Sequence, residues 1–126
     1  MSDDTQALTR VLGRGSAHEG AHHWRAQRLT AIALGLLGIW LLVALGRLPD
    51  HDYVTMRAWA TALWNATLLA LFTAAACWHS QLGMQVVIED YVQGWLRPAS
   101  LLVSAFIHVL LGAAGLLAIV RIALGS

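Results

Sequence analysis

The chain has 126 residues, room for one domain at most, and 58% of them are apolar while only 12% are charged. Soluble domains sit nearer roughly 45–50% apolar and about 25% charged, so this composition excludes a water-soluble globule and describes a protein built for lipid. A net charge of +1 provides neither a nucleic-acid footprint nor a funnel for acidic substrates.

The first segment, 1–23, reads as a polar N-terminal tail. It opens on Met1, Ser2, Asp3 and Asp4, an acidic start that does not fit a cleavable signal. No small-residue cleavage site follows a short apolar run, so the first apolar segment is expected to be retained. The tail carries His18, His22 and His23. His18 and His22 have the i, i+4 spacing that can ligate a metal, but with no second ligand cluster the simpler reading is a solvated tail.

Three apolar runs follow, placing transmembrane helices at about 26–46, 57–88 and 99–122. Leu29 to Gly46 is 18 residues without a charge, or roughly 27 Å of helix, close to one hydrocarbon thickness. Leu48-Pro49-Asp50-His51-Asp52 is a polar turn with a helix stop. Ala58 to Ile88 is 31 uncharged residues. That exceeds one span, so part of it is expected to emerge as an interfacial helix or to be buried against protein. The third run has 23 residues and starts at Pro98, which suits a helix's first turn because its missing N–H costs nothing there. Lipid cannot satisfy sheet edges and the runs are not alternating 10-mers, so the expected fold is an all-α membrane protein of three transmembrane helices.

All eight basic residues are arginine. Five of them (Arg10, Arg14, Arg25, Arg28, Arg97) fall on the side of the N-terminus and second loop, and three (Arg47, Arg57, Arg121) on the other. This bias places the N-terminus in the cytoplasm and the C-terminus in the periplasm. Trp24, Trp59 and Trp95 fall near interfaces, whereas Trp40, Trp64 and Trp78 lie deeper and read as packing residues. The pairs Gly35/Gly38 and Gly112/Gly115 allow close helix approach. Cys77 cannot form an internal disulfide and reads as a small core residue.

His79 lies inside the second run, between Trp78 and Ser80. Intramembrane ionisable groups are expensive and tend to be functional, and neutral imidazole is a standard axial haem ligand. Gly83, one turn on, removes a side chain beside the imidazole and would leave room for a flat macrocycle. A histidine bonded to a neighbouring helix is the plainer alternative. His108, in the third run, is a second intramembrane histidine that could complete a haem clamp or simply pack against a carbonyl or hydroxyl. Glu89, Asp90 and Tyr91 close the second run. A phenol can donate to a quinone carbonyl and a carboxylate can orient it or pass protons, although acids in water at a helix end would look the same. Arg28 opens the first span, where it can pair with a carboxylate or serve as a positive-inside anchor.

Taken together, the string His79-Ser80-Gln81-Leu82-Gly83-Met84-Gln85-Val86-Val87-Ile88-Glu89-Asp90-Tyr91 resembles the signature of the succinate dehydrogenase hydrophobic membrane anchor family. The pattern is His, three residues, Gly, a short apolar stretch, then Asp-Tyr. His23-Trp24-Arg25 followed by Arg28-Leu29-Thr30-Ala31 is similar to that family's entry into its first helix. The resemblance implies that His79 is an axial ligand of haem b and so binds its iron. The second ligand would then come from the cytochrome b556 subunit and not from His108. It implies that Tyr91, with Asp90 beside it, binds ubiquinone, and that Arg28 lies near the haem propionates or the quinone. It assigns nothing to Ser80, Gln81 or Glu89.

The implied setting is the bacterial inner membrane. FAD in the flavoprotein subunit and Fe–S clusters in the iron–sulfur subunit would pass electrons from succinate, a tricarboxylic acid cycle intermediate, to ubiquinone. No activity is expected of the chain alone, which has neither a cysteine cluster for Fe–S ligation nor a dinucleotide glycine fingerprint. The competing readings are a self-contained di-histidine cytochrome b built on His79 and His108, a fumarate reductase anchor, and a structural anchor without haem. A small transporter or channel is disfavoured because all seven acids lie outside the spans.

Overall fold

The computed structural model describes residues 16–125, with side chains from Gly20 onward. Arg10 and Arg14 lie outside the described residues, and so does the His18 side chain. The described chain is helical: α1 (Ser16–Gly46), α2 (Tyr53–Thr61), α3 (Leu63–Tyr91) and α4 (Leu96–Ala123).

By length and composition, α1 from Gly20 and α4 can each cross a membrane, and α2 with α3 forms a third candidate span only when the bent pair is taken together. The 31-residue uncharged run is divided at Ala62, whose extended backbone (φ −61°, ψ 124°) turns the chain through 89°. Asn65 Nδ2 donates to Trp59 O across the break at 2.9 Å. Asp52 caps α2 by accepting from Thr55 N–H at 2.7 Å, and this holds its carboxyl below the usual carboxylate range. α2 docks on the far end of α4, with Arg57 Nη2 donating to Gly125 O at 3.3 Å. Trp59 stacks on Trp40 of α1 with 5.9 Å between ring centroids.

The long helices form a row. α3 packs against α1 on one side and α4 on the other, while among the described residues α1 and α4 do not meet. The seam between α3 and α4 is built on small residues. Gly115 brings α4 so close that an added Cβ would lie 2.8 Å from Thr73 Cγ2, and Gly112 faces Cys77 at 3.7 Å. In α1 the glycines do less, since Gly38 approaches Phe72 only at 4.0 Å and Gly35 faces open space. The turn into α4 passes through Gly94 at φ +66°, a left-handed conformation that favours glycine.

This row has almost no core. Only Thr30, Ala66, Leu82, Ile88 and Ser104 are buried among the described residues, and no large side chain is fully enclosed. Trp64 (70% exposed) and Trp78 (56%) face outward, so within this chain they are not the packing residues that their depth suggests. Trp40 alone of the three deep tryptophans is packed, against Trp59. A helix that is apolar all round carries no sequence signal for which face meets protein and which meets lipid.

Candidate functional site

His79 projects from α3 toward α1. Its Nδ1 lies 3.0 Å from Thr30 Oγ1, and no protein group among the described residues engages its Nε2. Thr30 is 5% exposed and its hydroxyl also lies 2.9 Å from Ala26 O and 3.1 Å from Gln27 O. One turn further along α3, Gly83 faces the same neighbour, with Gln27 Nε2 3.8 Å from where a Cβ would stand. Beyond it the seam opens into a groove of about 630 Å³ lined by His23, Trp24, Gln27, Gly83, Gln85 and Glu89, among others. His23 Nε2 and Gln27 Oε1 are buried there without a hydrogen-bond partner. The α1–α3 seam therefore leaves polar capacity unspent, which native interiors rarely do.

His108 is the opposite case. Its Nδ1 lies 2.7 Å from Ser104 O and its Nε2 3.1 Å from Ser80 Oγ, so both ring nitrogens are used within the chain. Ser80 follows His79 directly, and successive helical side chains diverge by about 100°. The two histidines therefore sit in different seams, one against α1 and one against α4.

At the end of α3, Gln85 Nε2 donates to Glu89 Oε1 at 2.9 Å. Asp90 is exposed and Tyr91 is 83% exposed. Two acids in the last turn oppose the helix dipole, which favours cations at a C-terminus, so this end is not written for helix stability alone. Twelve positions separate His79 from Tyr91, about 18 Å along the helix. Arg28 lies over the Trp24 ring, 5.2 Å from its centroid, and projects into solvent or lipid away from the Thr30 face. Within the chain, then, His79 meets Thr30, and no hydrogen bond joins it to Arg28, Asp90 or Tyr91. Thr30 is the residue that sequence reasoning passed over. It stands in the Arg28-Leu29-Thr30-Ala31 string, but nothing local pairs it with a histidine 49 positions away.

His22 is exposed and His23 half-buried, and no group of three or more His, Cys, Asp or Glu among the described residues is placed to hold a metal ion. A site using His79 needs a ligand from elsewhere. The donor set suits haem iron, which asks one imidazole nitrogen of each axial residue and is served by a ring whose other nitrogen is held.

Comparison with known proteins identifies the family of the chain. The model of the succinate dehydrogenase/fumarate reductase transmembrane subunit family matches residues 2–119. The chain is similar to the succinate dehydrogenase hydrophobic membrane anchor subunit of Rickettsia bellii, 38% identical over 94 residues that cover 73% of this chain and 74% of that one. The subunit of the same description from Paracoccus denitrificans is 32% identical over 115 residues, covering 90% and 88%. That from Rickettsia conorii is 34% identical over 86 residues, covering 68% of each chain. With its apolar helices and a family match along nearly its whole length, this chain belongs to the succinate dehydrogenase/fumarate reductase transmembrane subunit family.

Proposed function

We propose that this chain is the hydrophobic membrane anchor of a bacterial succinate dehydrogenase, contributing one haem b ligand and part of the ubiquinone-reduction site. Its partners would be the cytochrome b556, iron–sulfur and flavoprotein subunits, with FAD and the Fe–S clusters in the soluble pair. In the inner membrane, α1, α3 and α4 would each cross once, with the N-terminus cytoplasmic and the C-terminus periplasmic. α2 would lie along the periplasmic surface, a reading supported by its 89° angle to α3.

The observation that carries the reading is the contrast between the histidines. His79 has one nitrogen held by Thr30 and the other unengaged, while His108 spends both on Ser104 and Ser80. That contrast disfavours a self-contained di-histidine cytochrome. A second axial ligand from the cytochrome b556 subunit fits a row of helices with open flanks. Bound haem supplies a one-electron redox centre. His79 would hold its iron, and the exposed Arg28 at the cytoplasmic end of α1 would pair with a propionate or the quinone.

At the other end of the site Tyr91 would donate its O–H to a quinone carbonyl. Asp90 beside it would relay protons from cytoplasmic water, since quinone reduction consumes two. Both side chains are exposed in this chain, and a wall shared with partner subunits requires that.

The test is the reduced-minus-oxidised visible spectrum of the co-expressed complex. We expect the b-type signal to be lost in His79→Ala and kept in His108→Ala. Loss in both, with haem retained by the wild-type chain alone, would establish the self-contained cytochrome instead. No haem in the wild-type complex would leave a quinone-binding or structural anchor. The direction of turnover, succinate oxidation against fumarate reduction, is read separately by assaying both with the intact complex.

A further inference from the structure

We propose that Thr30 is a positioning residue that fixes the tautomer and the ring orientation of His79. The proposal rests on the haem-ligand reading of His79 and adds how this chain prepares that ligand.

The argument is a count of hydrogens. The Thr30 hydroxyl has one proton and three neighbours within reach: Ala26 O at 2.9 Å, Gln27 O at 3.1 Å and His79 Nδ1 at 3.0 Å. The two carbonyls can only accept. If the hydroxyl donates to one of them, its lone pairs face Nδ1, and Nδ1–H donates to Oγ1. That arrangement makes two hydrogen bonds. If the hydroxyl instead donates to Nδ1, the same atoms make one, and no donor is left for either carbonyl from this side chain. In a buried setting, with Thr30 only 5% exposed, the two-bond arrangement wins because an unused polar contact has no water to replace it.

Neutral imidazole carries one N–H. With that hydrogen on Nδ1, Nε2 is left with its lone pair, the form an iron centre binds. The Nδ1–H bond also makes the ligand more basic and stops the ring from turning. Back-bonding of a threonine to its preceding turn, usually a mild liability in a helix, here orients the hydroxyl for its neighbour.

The experiment uses the purified complex with its co-expressed partners. Thr30→Val and Thr30→Ala remove the hydroxyl, and Thr30→Ser keeps it. The readouts are haem retained per complex, the haem midpoint potential and the lowest-field g-value of the oxidised low-spin signal. For the hydroxyl-free variants we expect about ten- to a hundred-fold weaker haem retention. We also expect a more positive potential, because a less basic ligand stabilises ferric iron less, and a shifted g-value. Thr30→Ser is expected to restore all three.

Wild-type potential and g-value in an assembled Val or Ala variant would overturn the assignment. So would equal losses in Val and Ser, which would point to packing of the methyl group. Failure of both hydroxyl-free chains to assemble would overturn it too, by making the hydroxyl a determinant of the fold. His79→Ala, run alongside, keeps the two questions apart. Haem retained there would sink the ligand reading itself, whatever Thr30 does.

Discussion

The two seams of α3 are built on different principles. Against α4, small residues let the backbones close and the seam's histidine is fully satisfied by its own chain. Against α1, the contact is polar and incomplete, with Thr30 holding one side of His79 while His23 Nε2 and Gln27 Oε1 stand buried without partners. In lipid there is no hydrophobic drive between helices, so association rests on close packing and hydrogen bonds. The α4 seam is closed by backbone packing, although Ser104 Oγ is buried in it without a partner, whereas the unspent polar atoms of the α1 seam line an open groove.

The hardest test of that division is Gly115→Ala. Its Cβ would stand 2.8 Å from Thr73 Cγ2, and a β-branched side chain cannot swing aside cheaply. Overpacking of this kind costs about 1–3 kcal/mol. Unfolding in mixed micelles should show that loss. Thr73→Ser, which removes the offending methyl and keeps the hydroxyl on Leu69 O, should recover most of it in the double variant. Gly83→Ala is the matched control in the other seam. Its Cβ would meet Gln27 Nε2 at an ordinary 3.8 Å, so stability should stay within about 0.5 kcal/mol, helped by alanine's better helix propensity. A loss as large as that of Gly115→Ala would mean the α1 seam is as tightly packed as the other, and the comparison would fail.

A similar-sized effect on function, with none on fold, is expected at the end of α3. Tyr91 is 83% exposed in this chain, so Tyr91→Phe should leave the haem spectrum and thermal midpoint unchanged. Loss of one hydrogen bond to a quinone carbonyl, about 1 kcal/mol, should lower kcat/KM for quinone reduction about five- to ten-fold. An unchanged rate would remove Tyr91 from the quinone site. Below this comes His108→Ala. It gives up one interhelical bond to Ser80 and one to its own helix, for about 0.5–1.5 kcal/mol of stability with the b-type spectrum intact.

The sequence carried some of this directly and concealed the rest. Apolar runs, polar turns and the His79-to-Tyr91 string are local, so the helices and the candidate residues could be read from them. The surplus length of the second run pointed to an interfacial or protein-buried portion and not to a break, and Ala62 is a poor sign of one, since alanine is the best helix former. The break is set from a distance, by α2 docking on the end of α4 through Arg57 and by Trp59 stacking on Trp40. The Thr30–His79 bond spans 49 positions and leaves no trace in spacing. Equal apolarity around each helix also hid which glycines matter: Gly115 is critical and Gly35 faces nothing, though both stand in the same Gly-x-x-Gly pattern.

The smallest effect concerns the one part of the fold that belongs to neither seam. Asp52 caps α2 in full exposure, and the Thr55 N–H holds its carboxyl below the usual value of 3.8. A folded-state pKa below the unfolded one means that the cap contributes fully above the ordinary carboxylate range and is lost as pH falls through the depressed value. Acid below the ordinary carboxylate range should therefore loosen α2. The stacked pair Trp40–Trp59 lies where α2 meets α1, so tryptophan emission reports it. Asp52→Asn should keep the cap, because asparagine accepts the same bond, and abolish the acid-dependent change. Asp52→Ala should show the loosened state at every pH. An acid transition that survives in Asp52→Asn would assign the change to another group and leave α2 held by Arg57 and the tryptophan stack alone.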